Sequence, residues 1–172
     1  HLTVSDVAAT KKMFVQAMGA VEVRSGRLEA LKLPGVIVVL TKGTPGGGTD
    51  DSAVNHLGFL TRNLEESKAK LTAAGGKVVK EMPDTRQMFV MFPDGVKVEF
   101  TEQTNLPAPI QHHHIHFATN GVEATRAWYV KLFGAVPGKR GRFEAADVPG
   151  VNLSFSPNPT ATLPTKGRAM DH

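Results

Sequence analysis

At 172 residues, with a formal net charge of +4 and no cysteine, the chain can form one domain or two small ones. The lack of cysteine excludes disulfides, thiolate nucleophiles and Cys-ligated zinc. An apolar fraction of 41% supports an ordinary packed core, and no apolar run approaches the roughly 18–20 residues of a membrane span. The Lys and Arg residues are scattered without interleaved aromatics, which reads as a solvated basic surface rather than a nucleic-acid groove. The sequence opens on His1 rather than Met and shows no leader-like segment. The cytoplasm is therefore the default compartment, and a signal peptide ahead of His1 stays open.

Taken in order, the chain opens with a short strand whose Leu2 and Val4 face a core. Ser5 or Asp6 can cap a helix from about Val7 to Met18, closed by Gly19. Strands follow near Val21, over residues 27–33 and over Val36–Thr41, with a Pro34-Gly35 turn between the last two. Gly43–Asp51 reads as a flexible link and not as a phosphate loop, because no Gly-Lys-Ser/Thr follows it. A second strand–helix–strand–strand–strand run comes next. It comprises His56–Thr61, an Asn63-capped helix over about Leu64–Ala74, and strands near Val78–Glu81, Gln87–Phe92 and Val96–Thr101, the last two joined by Pro93-Asp94-Gly95. Thr104–Pro109 is a linker. A third run begins with the histidine-rich strand at 112–117 and a helix over about Val122–Phe133, with Trp128, Tyr129 and Leu132 expected on the packed side.

These runs are copies of one unit. Placing His1 on His116 and reading forward without a gap makes 15 of 41 positions identical, including Gly26/Gly141, Glu29/Glu144 and Pro34-Gly35-Val36/Pro149-Gly150-Val151. A half-period of 58 residues relates His56 to His114 and His114 to His172. The expected fold is α+β, built of repeated βαβββ modules that pair into incomplete barrels. The first pair would occupy 1–103 (modules about 1–42 and 53–103), with a linker at 104–111. The segment 112–172 would start a second pair, with a third module at 112–156, a linker at 157–168 and the opening strand of a fourth module.

All seven histidines, His1, His56, His112, His113, His114, His116 and His172, lie at or beside the first strand of a module. Such restriction raises a ligand role above packing, since neutral imidazole is the commonest side-chain metal ligand. Strand alternation puts His112, His114 and His116 on one face. It also puts Glu99 on the side faced by His56, with Val96, Val98 and Phe100 toward the helix. Val39 and Ser154 occupy the Glu99 position in the first and third modules, so only the second module supplies a carboxylate there. The third ligand for His56 and Glu99 is expected from the first module, two residues ahead of His1. His114 is expected to pair with His172 in a separate site. His116 and His1 would face one cavity as an acid or base beside the metal, or as polar neighbours. Arg27 with Glu29, and Arg142 with Glu144, read as cross-strand ion pairs, with an anion-holding Arg as the rarer alternative.

The repeated module, the opening Asn55-His56-Leu57-Gly58-Phe59 and the closing Pro93-Asp94-Gly95-Val96-Lys97-Val98-Glu99-Phe100 together resemble the vicinal oxygen chelate superfamily of glyoxalases, bleomycin-resistance proteins and extradiol dioxygenases. The resemblance implies a divalent metal ion (Fe, Mn, Zn or Ni) held by His56 and Glu99, and by His114 and His172. It also implies a small-molecule substrate with vicinal oxygens, with neither nucleic acid nor membrane as partner, and an arrangement that could extend to a homodimer. Glyoxalase I-like members use a carboxylate from both modules of a pair. Val39 at that position brings the set closer to extradiol dioxygenases or fosfomycin-modifying transferases. Dioxygenase-like and glyoxalase- or lyase-like chemistry both stay open, as does a metal-free binding protein of the bleomycin-resistance kind.

Overall fold

The computed structural model describes residues 1–172 except Arg27, Pro159, Ala161 and His172. Three modules follow one another in the expected grammar. The first comprises β1 (Leu2–Val4), α1 (Val7–Lys11), β2 (Val21–Ser25), β3 (Leu28–Leu33) and β4 (Val36–Lys42). The second comprises β5 (Val54–Thr61), α2 (Leu64–Ala73), β6 (Lys77–Met82), β7 (Gln87–Met91) and β8 (Lys97–Glu102). The third comprises β9 (Ile110–Thr119), α3 (Val122–Phe133), β10 (Val136–Arg140), β11 (Phe143–Val148) and β12 (Val151–Pro157). The first two helices start where short polar side chains satisfy free amides: Asp6 accepts from Ala9 N and Asn63 from Glu66 N. The first helix continues as a π-helical stretch over Lys12–Ala17 rather than as one regular helix to Met18. Among the described residues, no helix is long and apolar enough to cross a membrane.

The modules do not pair as the sequence suggested. The first module forms a four-stranded sheet in the order β1-β4-β3-β2, whereas the second and third share an eight-stranded sheet in the order β10-β11-β12-β9-β5-β8-β7-β6. The central seam is β5 against β9, antiparallel. The repeat shows that modules are equivalent but does not say which two meet. The short linker ahead of β9 is tied to the end of β5: Arg62 donates to the carbonyls of Leu106 and Pro107 at 2.7 and 2.8 Å, and β9 then runs back along β5. The first module joins the second through its helix instead. Met13, Phe14, Ala17 and Met18 share one core with Leu71, Val90, Val98 and Phe100. Ser5 binds the Asp94 carboxylate through its amide and hydroxyl.

Three further expectations change. The glycine link is not a free tether, because Thr49 N donates to Gly95 O and Ala169 N to Gly47 O, both at 2.9 Å. A Cβ on Gly48 would lie 2.4 Å from Gly95 O, so glycine is needed for this close approach. Among the described residues, the strand expected to open a fourth module appears as a single antiparallel bridge, Met170 to Leu2. On α3, Tyr129 packs with Phe117 and Phe155, but Trp128, Leu132 and Phe133 are 50%, 56% and 60% exposed. Their counterparts in the first module, Met13, Ala17 and Met18, are buried in the core shared with α2. Among the described residues α3 has no such cover.

A bulge in β9 also breaks the alternation of its histidines. Gly58 pairs with His114 but Phe59 pairs with His112, so His113 is the extra residue. His112 therefore turns to the core face, its ring edge-on to Phe59 at 5.3 Å. Burial lowers its pKa from 6.5 to about 4. Below pH 6.5 the unfolded chain takes up a proton that the folded chain refuses, so this contribution is complete above pH 6.5 and is lost toward pH 4. The loss amounts to up to about 3 kcal/mol. Thermal melting between these limits should show a shallower decline for His112→Leu than for the parent; parallel profiles would contradict the assignment.

Candidate metal centre

The β5–β9 seam sets the site. Its register places His56 opposite His116 and Gly58 opposite His114. On the other side of β5, Gly58 is paired with Glu99 of β8. Gly58 thus stands between a carboxylate and an imidazole in one row of the sheet, and its missing side chain is the opening through which they meet. A Cβ there would lie 1.9 Å from His114 Cε1. His114 Nε2 is 3.7 Å and His56 Nε2 is 3.0 Å from the same oxygen, Glu99 Oε2. The nitrogens of His56, His114 and His116 lie within 4.8 Å of one another, and all three rings and Glu99 are buried.

The surrounding hydrogen bonds fix which nitrogen carries a lone pair. The Asn55 amide donates to Asp50 O at 2.7 Å, so its oxygen is the atom that faces His56 Nδ1 at 2.9 Å. A neutral imidazole has one N–H, and that proton belongs on Nδ1. His56 Nε2 and Glu99 Oε2 then present lone pairs to each other across 3.0 Å. Burial lowers the His56 pKa, against the opposing pull of Glu99, and so keeps the ring neutral. Burial alone would raise Glu99. The Arg140 charge and the Thr101 hydroxyl work against it, and the carboxylate is held below its usual range. Two facing acceptors with no proton between them are what a cation resolves, so the donor set fits a divalent metal. Gln87 and Thr101 hold Glu99 Oε1 at 3.2 and 3.0 Å, the outer support that orients ligands.

His114 follows the same logic. Its Nε2 accepts from Arg140 Nη2 at 3.1 Å, and its Nδ1 lies 3.1 Å from His113 Nδ1. Burial and then the Arg140 charge push its pKa far down. For His116, burial, His56 and Arg140 together lower it to about 3.

Of the expected site residues, the structure brings together His56, Glu99, His114 and His116. The two half-sites foreseen in separate barrels are one site, since His114 belongs with His56 and Glu99 and not in a centre of its own. His1 is elsewhere: it lines a different, largely apolar cavity with Val38, Leu57 and Ile115, and its ring contacts Thr41. The cavity expected to be common to His1 and His116 is therefore two cavities, because their modules belong to different sheets. His172 lies outside the described residues. Sequence reasoning missed Gly58, Asn55, Gln87, Thr101 and Arg140. Gly58 was detectable, being the position that carries His in the first and third modules.

No protein-family model and no curated protein matches the sequence. Solved structures do match. Glyoxalase I from Zea mays superposes with a TM-score of 0.71 at 16% identity, over 94% of this chain and 66% of that chain. The fosfomycin resistance protein FosX from Listeria monocytogenes matches with a TM-score of 0.50 at 19% identity, over 60% of this chain and 87% of that one. The chain has the vicinal oxygen chelate fold. At these identities the likeness concerns architecture, and the chain spans about two thirds of the glyoxalase I chain. Within this fold, His56, His116 and Glu99 line a cleft of about 660 Å³ whose other walls include Phe89, Phe143 and Arg142, and His114 is buried next to them.

Gly58→Ala tests the geometry without touching a ligand. The added methyl must displace the His114 ring. Metal affinity, read by calorimetric titration, should fall roughly tenfold or more while the circular dichroism stays native. Unchanged affinity would contradict the placement of His114.

Proposed function

We propose that this chain carries the catalytic centre of a divalent-metal enzyme acting on a small substrate with adjacent oxygens. His56, His114 and Glu99 would hold the metal, with His116 beside them. The observation that carries this reading is the facing of His56 Nε2 and Glu99 Oε2, with His114 Nε2 turned to the same oxygen. Two imidazoles and one carboxylate suit Fe, Mn, Zn or Ni and leave open coordination positions. When bound, such a metal polarises adjacent substrate oxygens as a Lewis acid.

The chain's own residues supply the rest. Asn55 fixes the His56 tautomer, and Gln87 with Thr101 fixes Glu99. Phe89 and Phe143 give the cleft apolar walls that displace water from a bound substrate. His116 stacks on the His56 ring at 4.5 Å and meets Ser156 Oγ through Nε2; we assign it a polar or proton-transferring role beside the metal. The reading covers extradiol-type oxygenation and glyoxalase- or lyase-type chemistry. A metal-free binding protein would have no use for the two facing lone pairs.

Metal analysis should find about one divalent ion per chain in this site. His56→Ala and Glu99→Ala should each weaken binding beyond the roughly 10–100-fold cost of removing an outer hydrogen-bond partner. A folded protein that takes up no metal would end this reading.

A further inference from the structure

The same cleft carries more positive charge than its metal ligands explain. Lys80, Arg140 and Arg142 line it, and Glu99 is the one carboxylate among its described lining residues. The partner expected for Arg142 is taken: Glu144 pairs with Arg126, and with Lys139 at 3.3 Å. Arg142 makes no ion pair among the described residues and stands over the Phe143 ring at 5.1 Å. Arg140 approaches the same ring at 5.8 Å. Its side chain is only 20% exposed, and its nearest carboxylate oxygen among the described residues, Glu99 Oε1, is 3.9 Å away. The groups that do bind it are neutral: Ser154 Oγ at 2.7 Å, His114 Nε2 at 3.1 Å and His116 Nδ1 at 3.4 Å.

A partly buried guanidinium without a full carboxylate partner, beside a second unpaired one, is an arrangement for holding an anion from solution, because the planar fork matches two oxygens at once. We propose that Arg140 and Arg142 form an oxyanion subsite next to the metal centre, and that the substrate carries a carboxylate or phospho group adjacent to its chelating oxygens. Ser154 is the hinge of the arrangement. It occupies the position that Glu99 has in the second module, and a hydroxyl there orients Arg140 through Nε without neutralising it. Lys80 adds charge at the rim.

The inference extends the metal-centre reading but is tested separately from it. Inorganic phosphate and acetate are titrated by calorimetry into the parent protein, freed of metal by chelation and then metal-loaded, at constant ionic strength set with chloride. Saturable binding of at least one probe is expected in both forms, with phosphate alone marking a phospho group and acetate alone a carboxylate. Arg140→Gln and Arg142→Gln should each weaken it roughly tenfold or more. His56→Ala should lose metal and keep the anion. If Arg140→Gln does not fold, Arg142→Gln carries the test, because that side chain makes no ion pair to lose. Absence of saturable binding in both forms, or affinities within about twofold of the parent in the Arg142 variant, would overturn the subsite. Failure of metal binding with anion binding intact would overturn only the metal reading.

Discussion

Everything distinctive about this molecule depends on the antiparallel register of β5 against β9. With His56 opposite His116 and Gly58 opposite His114, side chains from two sequence-distant modules converge on one carboxylate. A one-residue slip of β9 would send its side chains to the other face of the sheet. His114 would then enter the apolar core and Ile115 would enter the cleft. The register is strongly specified because both faces are committed: Leu57, Phe59 and Phe117 are buried on one side, and three histidines on the other.

The electrostatics follow from that placement. Burial strips water from three imidazoles and keeps them neutral, while the same burial concentrates the field of Arg140 on Glu99 and the rings. Neutral imidazoles and an ionised carboxylate are the protonation states in which these side chains donate lone pairs. The fold therefore holds the site ready without needing a proton to be removed first. Around it, the neutral polar groups Asn55, Gln87, Thr101 and Ser154 set orientation and leave charge uncompensated where a ligand can use it.

Much of this was legible in the residues. Gly/Pro turns, Asp6 and Asn63 caps and period-2 runs located the strands and helices, and the ungapped repeat gave the module grammar. The repeat singled out His56 and His114, and alternation within one strand singled out Glu99; the structure brings the three together. What stayed hidden was non-local. Equivalent modules are equally good partners on sequence, and the β5–β9 pairing, with Arg62 bound to the linker between them, shows only in the folded chain. The bulge at His113 moved His112 to the core, since nothing in a run of three histidines marks which one is extra. Trp128 and Leu132 have a helical apolar pattern, yet a pattern cannot show whether another element covers it. Arg140 escaped notice because its relevance lies in its neutral hydrogen-bond partners and in a Glu99 oxygen held 3.9 Å away, which only the packed structure reveals.

The central claim is that His56 and His114 serve one metal. A double-mutant cycle on metal affinity addresses it directly, with His56→Ala, His114→Ala and the double variant titrated with the same divalent ion. Ligands of one centre are coupled, so the double variant should lose much less than the sum of the two single losses, with one binding step in the parent. Two independent binding steps, each abolished by a different histidine substitution and with additive losses, would contradict it.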